Sequence, residues 1–193
     1  MRFLGIPRYI AQVFYGAVLK IGAAKCGGFP MARTPLEWYG LRRMSFGSNL
    51  QIGVSSWLAV LDPSPECRAP SLSVGSGTVL GNYNHIIAAG RVTIGKNVLT
   101  ADHVYISDNT HEYSDVDVPV MHQKVHLLRE TSIGDGSWLG ENVCVFGAKV
   151  GKHCVIGANS VVNRDIPDYC VVAGVPARII RRYNPAERVW KKE

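Results

Sequence analysis

The feature that most constrains the fold of this chain is a spacing of six residues between apolar or β-branched side chains. The spacing slips by two residues once and is one residue short once. Its twelve positions are Val74, Leu80, Ile86, Ile94, Thr100, Ile106, Ile133, Leu139, Val145, Val150, Ile156 and Val162. Nine of the twelve are followed directly by Gly, Ala or Ser, whereas the chain's composition would give about three by chance.

A period of six fits neither an amphipathic helix nor alternating strands joined by hairpins. It is the signature of a parallel β-helix, in which three hexads form one triangular coil. The large residue of each hexad points inward and stacks on its equivalents in neighbouring coils. The small residue after it lets the chain turn the corner without a steric clash. The sequence therefore predicts an all-β solenoid.

The same spacing extends upstream of these twelve positions and is interrupted twice. It continues at Phe46, Ile52 and Leu58, so we expect the coils to begin near residue 44. Residues 62–71 contain three prolines and predict a loop that leaves the coil. Residues 107–132 have no sustained repeat and predict an extended loop that projects from one corner.

The end of the chain predicts a cap on the solenoid. Pro167 and Pro176 should end the regular coils, and the charged tail predicts a short closing helix. We therefore divide the chain into an apolar, helical N-terminal segment (1–43), a β-helix (44–177) and a C-terminal cap (178–193).

The N-terminal segment is apolar between flanking cations. Only eleven residues separate Arg8 from Lys20, well short of the ~20 needed to span a bilayer, and no signal-peptide cleavage site is clear. The segment predicts a helix with two alternative positions. It could pack on the rest of the protein, or residues 1–28 could rest at a membrane interface, where Phe3 and Phe14 would suit the headgroup boundary.

Charge and cysteine content exclude several classes of function. The net charge of +6 permits anionic partners, but no segment resembles a nucleic-acid-binding module, so no nucleic-acid partner is expected. The five cysteines are odd in number and form no CxxC pair, which favours reduced thiols in the cytoplasm. The chain has no zinc-ligand spacing, and no metal is expected to be required. We expect a cytoplasmic protein, located at the inner face of the membrane if the N-terminal helix binds lipid.

Three stretches carry a resemblance to a known family. They are GNYNHIIAAGRVTIGKNVLTADHVYISDNTHEY, TSIGDGSWLGENV and VGKHCVIGANSVVNRDIPDYCVVAGVPARIIRRY, within roughly residues 74–183. They resemble the hexapeptide-repeat acyltransferases, and most closely the sugar and polysaccharide O-acetyltransferases of the galactoside and maltose acetyltransferase type. The resemblance implies a left-handed winding, acetyl-CoA as co-substrate, and a homotrimer with active sites between subunits.

The resemblance implies that His111 is the catalytic base, because it matches the family histidine at the start of the projecting loop. Acetyl transfer to a hydroxyl needs a base for the hydroxyl proton, and a neutral imidazole suits that task. The family usually has a Thr-His-Pro-like sequence here, whereas this chain has Thr110, His111 and Glu112. Glu112 could orient the imidazole, although neighbours on an extended chain point to opposite faces.

The resemblance also implies contacts with both substrates. Asn84 and His85 fall in the acceptor-facing region, and His85 is the rival to His111 as base. The implied coenzyme A contacts are Trp138, Gly140, Ala158, Asn163, Arg164, Arg178 and Arg181. Small residues would let the pantetheine arm lie against the coil, and arginines would bind the nucleotide phosphates.

These residues predict an acetyl-CoA-dependent O-acetyltransferase that modifies a hydroxyl of a sugar or surface polysaccharide, of the O-antigen or capsule type. Three alternatives stay open: N-acetylation of an amino sugar, acetylation of an antibiotic, and a non-catalytic β-helix scaffold. Two features favour catalysis over a scaffold. They are the Thr-His-Glu-Tyr sequence at 110–113 and the resemblance of the third stretch to the coenzyme-binding sequences of the family.

Overall fold

The chain winds through three β-sheets that enclose one apolar core, and their strands are parallel except for the last two of the second sheet. The structure, a computed structural model, describes residues 8–33 and 36–193. The first seven residues of the predicted N-terminal segment, including Phe3, lie outside the described residues. Each coil contributes one strand to each sheet in turn, which fits the predicted left-handed parallel β-helix.

The strands stack in chain order along each sheet. The first sheet contains β1 (Lys25–Cys26), β4 (Met44–Phe46), β7 (Ser71–Val74), β10 (Arg91–Ile94), β15 (Thr131–Ile133) and β18 (Lys149–Val150). The second contains β2 (Met31–Ala32), β5 (Gln51–Ile52), β8 (Val79–Leu80), β11 (Leu99–Thr100), β16 (Trp138–Leu139), β19 (Val155–Ile156), β21 (Cys170–Ala173), β22 (Arg178–Asn184) and β23 (Val189–Lys192). The third contains β3 (Leu36–Tyr39), β6 (Ser56–Val60), β9 (His85–Ala88), β12 (Tyr105–Ser107), β17 (Cys144–Phe146) and β20 (Val161–Val162).

Four further elements of the described residues lie outside these sheets or between their strands. They are the helix α1 (Arg8–Gly22), two single-turn 3-10 helices (Leu41–Arg43 and Val120–His122) and a hairpin of β13 (Asn109–His111) and β14 (Val125–Leu127).

The predicted inward positions form the core. All twelve positions of the six-residue spacing are buried, with at most 2% of any side chain exposed. They stack in register through successive coils, as Ile94 does between Val74 and Ile133. Because each buried Val, Leu or Ile side chain stabilises the fold by about 1.5–3 kcal/mol, this stack is the main source of stability.

The small residues after the inward positions are required by the spacing between coils. A Cβ on Gly75 would lie 2.5 Å from the carbonyl of Gly95, and one on Gly81 would lie 2.3 Å from the carbonyl oxygen of Ala101. The backbone of the next coil already occupies the place of a side chain. The corner role that the sequence predicts for these glycines is confirmed.

The coil stack starts earlier than residue 44, where the sequence analysis places its beginning. Strands β1, β2 and β3 pair in parallel with β4, β5 and β6, one in each sheet. Residues 25–33 and 36–39 therefore contribute to a first coil. The six-residue spacing does not extend into this first coil, because Gly27, Gly28 and Pro30 occupy the first corner of the coil and weaken the apolar pattern.

The predicted C-terminal helix is wrong. Residues 178–193 form β22 and β23, which return antiparallel on the edge of β21. The free edge of β21 needs hydrogen-bond partners, and the β-branched residues Ile179 and Ile180 suit a strand. At the turn, the Asn184 side chain accepts hydrogen bonds from the backbone N–H groups of Ala186 and Glu187.

Helix α1 packs on the N-terminal end of the stack. Leu19 is fully buried, and Tyr15 meets Trp38 edge to face with ring centroids 5.6 Å apart. A Cβ on Gly16 would lie 2.5 Å from the Phe29 ring. This close contact fixes the helix against the first coil. In the described residues, no helix is long and apolar enough to cross a membrane.

The corner packing leads to a prediction for Gly75→Ala. The new methyl group has to displace the backbone of the next coil, so we expect the free energy of unfolding to fall by about 1–3 kcal/mol. Urea denaturation followed by circular dichroism measures this change. The matched control is Gly157→Ala, whose methyl group would meet a side-chain atom of Ala173 at 3.1 Å. Equal stability losses for the two variants would contradict the corner argument.

Candidate active site

His111 is held outside the stack by the hairpin β13–β14. The chain leaves the third sheet at Asp108, which is fully buried. The Asp108 carboxylate accepts hydrogen bonds of 2.8 Å from the backbone N–H groups of Ala89 and Gly90, and one of 3.0 Å from the Asn109 amide. The start of the hairpin is therefore anchored to the preceding coil, three residues before His111.

The Pro-rich loop over 62–71 braces the other strand of the hairpin. Glu66 forms an ion pair of 2.7 Å with Lys124, the residue before β14. The pKa of the Glu66 carboxyl is lowered, chiefly because Lys124 donates a hydrogen bond to it. The two loops that interrupt the repeat are thus joined on the same side of the molecule.

A groove of about 490 Å³ lies between the hairpin and the outer surface of the third sheet. His111 is on its wall together with Trp57, Ile87, Tyr105 and Phe146. Aromatic and apolar walls beside one imidazole are typical of a site for a small organic substrate.

Trp57, Tyr105 and Phe146 are not among the site residues that the sequence predicts. Each is next to an inward position of the third sheet, namely Leu58, Ile106 or Val145, so each must point outward. Strand alternation was the available signal. It required knowing which of the three faces each hexad occupies.

His111 is a better candidate than Cys144 for the base in this groove. Its side chain is exposed, and within the described part of the chain its imidazole has no hydrogen-bond partner. Cys144 also lines the groove, but burial raises the pKa of its thiol, so the thiol stays protonated near neutral pH. Among the described residues, no group of three His, Cys, Asp or Glu side chains is arranged to hold a metal ion.

Glu112 contacts the opposite strand rather than His111. One carboxylate oxygen lies 3.7 Å from Nδ1 of His126. The other accepts hydrogen bonds from the backbone N–H groups of Tyr113 and Ser114, which lower the pKa of this carboxyl. The alternation of side chains along an extended strand explains this arrangement.

The predicted contact between Asn84 and the acceptor is wrong, because its side chain is fully buried. The Asn84 amide nitrogen donates to the Thr100 hydroxyl at 2.6 Å and to the Gly81 carbonyl at 3.2 Å. Its amide oxygen accepts from the backbone N–H of Val104 at 2.7 Å. Asn84 therefore joins two coils and does not reach a ligand.

His85 does reach the surface of the third sheet. It is exposed and packs edge to face on Trp57, with ring centroids 5.7 Å apart. Tyr105 is its register partner in the next coil. Its contact with the acceptor stays a prediction.

Trp138 and Arg181 share one outward row of the second sheet. The row runs from Trp138 through Val155 and Val171 to Arg181. Three strand spacings place the two ends roughly 14 Å apart. Half of the Trp138 side chain is exposed, and Arg178 lies on the same strand as Arg181. An apolar strip with cations at one end suits the apolar arm and charged end of a coenzyme.

Gly140 and Ala158 occupy the corner between the second and third sheets in successive coils. A Cβ on Gly140 would lie 2.8 Å from the backbone nitrogen of Ala158. The next coil therefore closes directly on Gly140, which is buried, whereas Ala158 is exposed. Ala158 presents only a methyl group at this corner, so a flexible chain could lie over it.

Asn163 and Arg164 lie at a different corner. They follow β20, where the chain passes from the third sheet back towards the first. Asn163 lines a second groove of about 460 Å³ together with Leu128, Phe146 and Gly147. This is the corner from which the hairpin with His111 also emerges.

The predicted site residues therefore divide between two edges of the third sheet. His111, Asn163 and Arg164 lie beyond its strands' carboxyl ends, whereas Gly140 and Ala158 lie before its strands begin. Within one chain, the two groups are therefore separated by the length of the strands of the third sheet.

Comparison with known proteins gives matches along most of the chain. Residues 130–164 match the family model described as the hexapeptide repeat of succinyl-transferase. The chain is 41% identical over 156 residues to a protein of Escherichia coli K12 named as a lipopolysaccharide biosynthesis O-acetyl transferase, WbbJ, and the match covers 77% of this chain and 76% of WbbJ. It is 37% identical over 131 residues to the galactoside O-acetyltransferase of the same strain, covering 60% of this chain and 59% of that enzyme.

A solved structure extends the comparison to the fold. The N-acyltransferase AntD of Bacillus cereus, in complex with dTDP and 3-hydroxybutyryl-CoA, superposes with a TM-score of 0.72 at 17% identity and covers 89% of both chains. At this identity the likeness concerns the fold alone. The match to WbbJ, by contrast, exceeds two thirds of both sequences. The chain belongs to the hexapeptide-repeat acetyltransferases.

Proposed function

We propose that this protein transfers the acetyl group of acetyl-CoA to a hydroxyl of a sugar or surface polysaccharide, of the O-antigen or capsule type, with His111 as general base. The observation that carries the proposal is the position of His111 on the wall of an aromatic groove. Its imidazole has no hydrogen-bond partner among the described residues. The names of the O-acetyltransferases to which the chain is similar support the acceptor class.

The chemistry assigned to His111 is proton transfer. Acetyl-CoA supplies a thioester carbonyl, which the acceptor hydroxyl attacks. One imidazole nitrogen of His111 takes the hydroxyl proton during attack and returns it to the departing thiolate, so that free coenzyme A leaves as a thiol. Because the imidazole needs a vacant nitrogen for this task, the absence of a hydrogen-bond partner in the described residues suits it.

The coenzyme contacts are assigned to Trp138, Gly140, Ala158, Asn163, Arg164, Arg178 and Arg181. The small side chain of the exposed Ala158 leaves room for a pantetheine arm at this corner. Gly140 lets the two coils approach closely there, since a Cβ on it would meet the backbone of Ala158. The guanidinium groups of Arg178 and Arg181 suit phosphate oxygens.

We propose further that the protein is a homotrimer with active sites between subunits. The division of the site residues between two edges of the third sheet supports this assembly. A cyclic arrangement brings one edge of a protomer to the other edge of its neighbour, and three-fold symmetry repeats that cleft three times. His111 of one protomer then faces Gly140 and Ala158 of the next.

The reaction is assigned to the cytoplasm, at the inner face of the membrane. The five cysteines are all free in the structure, which accords with a reducing compartment. The contact with the membrane is assigned to the N-terminal segment within residues 1–28.

His111→Ala tests the base assignment. We expect kcat to fall by about 10²–10⁴-fold, the usual contribution of a positioned base. Binding of acetyl-CoA, measured by calorimetry, should not change. His122→Ala is the matched control, because His122 lies on the exposed 3-10 turn of the same loop. Near-normal release of free thiol by His111→Ala would reject the assignment.

Mixed oligomers test the shared site. His111→Ala and Ala158→Trp are each expected to be inactive, the second because an indole fills the coenzyme corner. Co-expressed with different affinity tags and purified as hetero-trimers, they should recover about one third of wild-type activity, since one cleft in three joins two intact halves. A site contained within one chain would give no recovery.

Tyr105→Ala tests whether the groove binds the acceptor. Loss of the ring removes apolar contact surface, and we expect the acceptor KM to rise about tenfold, which corresponds to about 1.4 kcal/mol. The KM for acetyl-CoA should stay the same. Tyr169→Ala is the control, because Tyr169 is a half-exposed ring at a distant corner. An unchanged acceptor KM in Tyr105→Ala would place the acceptor elsewhere.

A further inference from the structure

Helix α1 has an apolar face that the fold leaves uncovered. At 100° per residue, Ile10, Val13, Phe14 and Ile21 fall within about 60° of one direction, and Leu19 points the opposite way. Leu19 is fully buried in the core. The four outward side chains are 55%, 40%, 62% and 85% exposed, respectively. The helix is thus apolar on both sides, although only one side has a partner in the chain.

The exposed face is presented rigidly at one end of the solenoid. Strands β1, β2 and β3 are the first strands of the three sheets, and α1 packs on this end. A Cβ on Gly16 would meet the Phe29 ring at 2.5 Å, and one on Gly22 would meet the Leu41 side chain at 2.5 Å. The helix cannot rotate to bury its outer face without losing these contacts.

Positive charge is concentrated at the same end. Residues 1–45 contain seven Lys or Arg and one Asp or Glu, and the rest of the chain contains fourteen of each. The first 45 residues therefore account for the whole net charge of +6. Six of the other cations lie within residues 178–193, where the proposed function uses two of them for coenzyme phosphates. The proposed reaction uses none of the cations at the N-terminal end.

Four of these cations are exposed around α1: Lys20, Lys25, Arg33 and Arg42. Over residues 8–33 and 36–193, none of the four has a carboxylate oxygen within 4 Å. Lys20 lies at the margin of the apolar face, about 80° from its centre. Unpaired cations beside exposed apolar side chains are the combination by which interfacial helices bind anionic lipid.

We propose that the N-terminal end of the solenoid docks on an anionic lipid bilayer, with Ile10, Val13, Phe14 and Ile21 inserted at the headgroup boundary. The axis of α1 then lies in the membrane plane, and the coils extend away from it. His111 follows β12, the third-sheet strand of the fourth coil. Three coil spacings and the thickness of one helix place it roughly 25 Å from the headgroup boundary. If the proposed function holds, this geometry favours glycan acceptors that are themselves attached to lipid.

Vesicle flotation with the full-length protein tests the docking surface. The probes are vesicles of phosphatidylcholine alone and vesicles with about one third phosphatidylglycerol. We expect binding to the anionic vesicles at low salt, at least tenfold weaker binding to the neutral ones, and weakening as salt screens the cations. The double variant Phe14→Asp/Ile21→Asp should lose at least tenfold in binding. Lys20→Gln/Lys25→Gln/Arg42→Gln should lose most of the preference for anionic lipid.

Val189→Asp is the matched control, because Val189 is 45% exposed beside cations at the opposite end of the molecule. It should bind vesicles like the wild type. Equal binding by Phe14→Asp/Ile21→Asp and Val189→Asp would overturn the proposal. So would a halving of the molar mass in light scattering for the Phe14→Asp/Ile21→Asp variant, since the face would then join two copies of the protein. Thiol release with a water-soluble acceptor should be unchanged in all these variants, which separates a failure of docking from a failure of the proposed reaction.

Discussion

The spacing of about 4.8 Å between successive coils is the constraint on which the structure depends. It allows one large side chain per hexad on the inside and almost nothing at the following corner, where a Cβ on Gly75 or Gly81 would meet backbone at 2.5 Å or less. The interior is consequently filled by stacked apolar side chains. Binding sites can form only on the outer faces, at the corners, or where the repeat is interrupted.

The hairpin β13–β14 uses such an interruption. A regular hexad would place the residue at position 111 on a flat sheet surface, where an imidazole would have no enclosing wall. By leaving the third sheet at Asp108, the chain raises His111 over Trp57 and Tyr105 and creates a groove. The buried Asp108 carboxylate holds the backbone at the exit point. The ion pair between Glu66 and Lys124 holds the far strand, so both interruptions contribute to one structure.

The sequence predicted the interior better than the surface. The inward positions followed from periodicity, because burial of a large side chain at every sixth residue has a direct sequence pattern. The pattern does not reveal the first coil, which contains β1, β2 and β3, because glycine and proline replace apolar residues at its corner. Strands β22 and β23 were predicted as a helix, since the charged tail does not reveal that the edge of β21 needs a partner. The sequence predicts a ligand contact for Asn84, whereas its amide forms hydrogen bonds with Thr100 and Val104 of the next coil.

The outward residues were hard to predict for a different physical reason. Alternation identifies which side chains of a strand point out, but the repeat does not say which faces remain in contact with water. Trp57 and Tyr105 on the third sheet and Trp138 on the second are all outward, and large rings are costly to leave in water. The interior is already full, so these rings can be covered only from outside. The hairpin β13–β14 encloses part of the third sheet, and a ligand or another copy of the protein can cover the rest. The same rings that line the groove therefore also supply apolar surface for the proposed trimer.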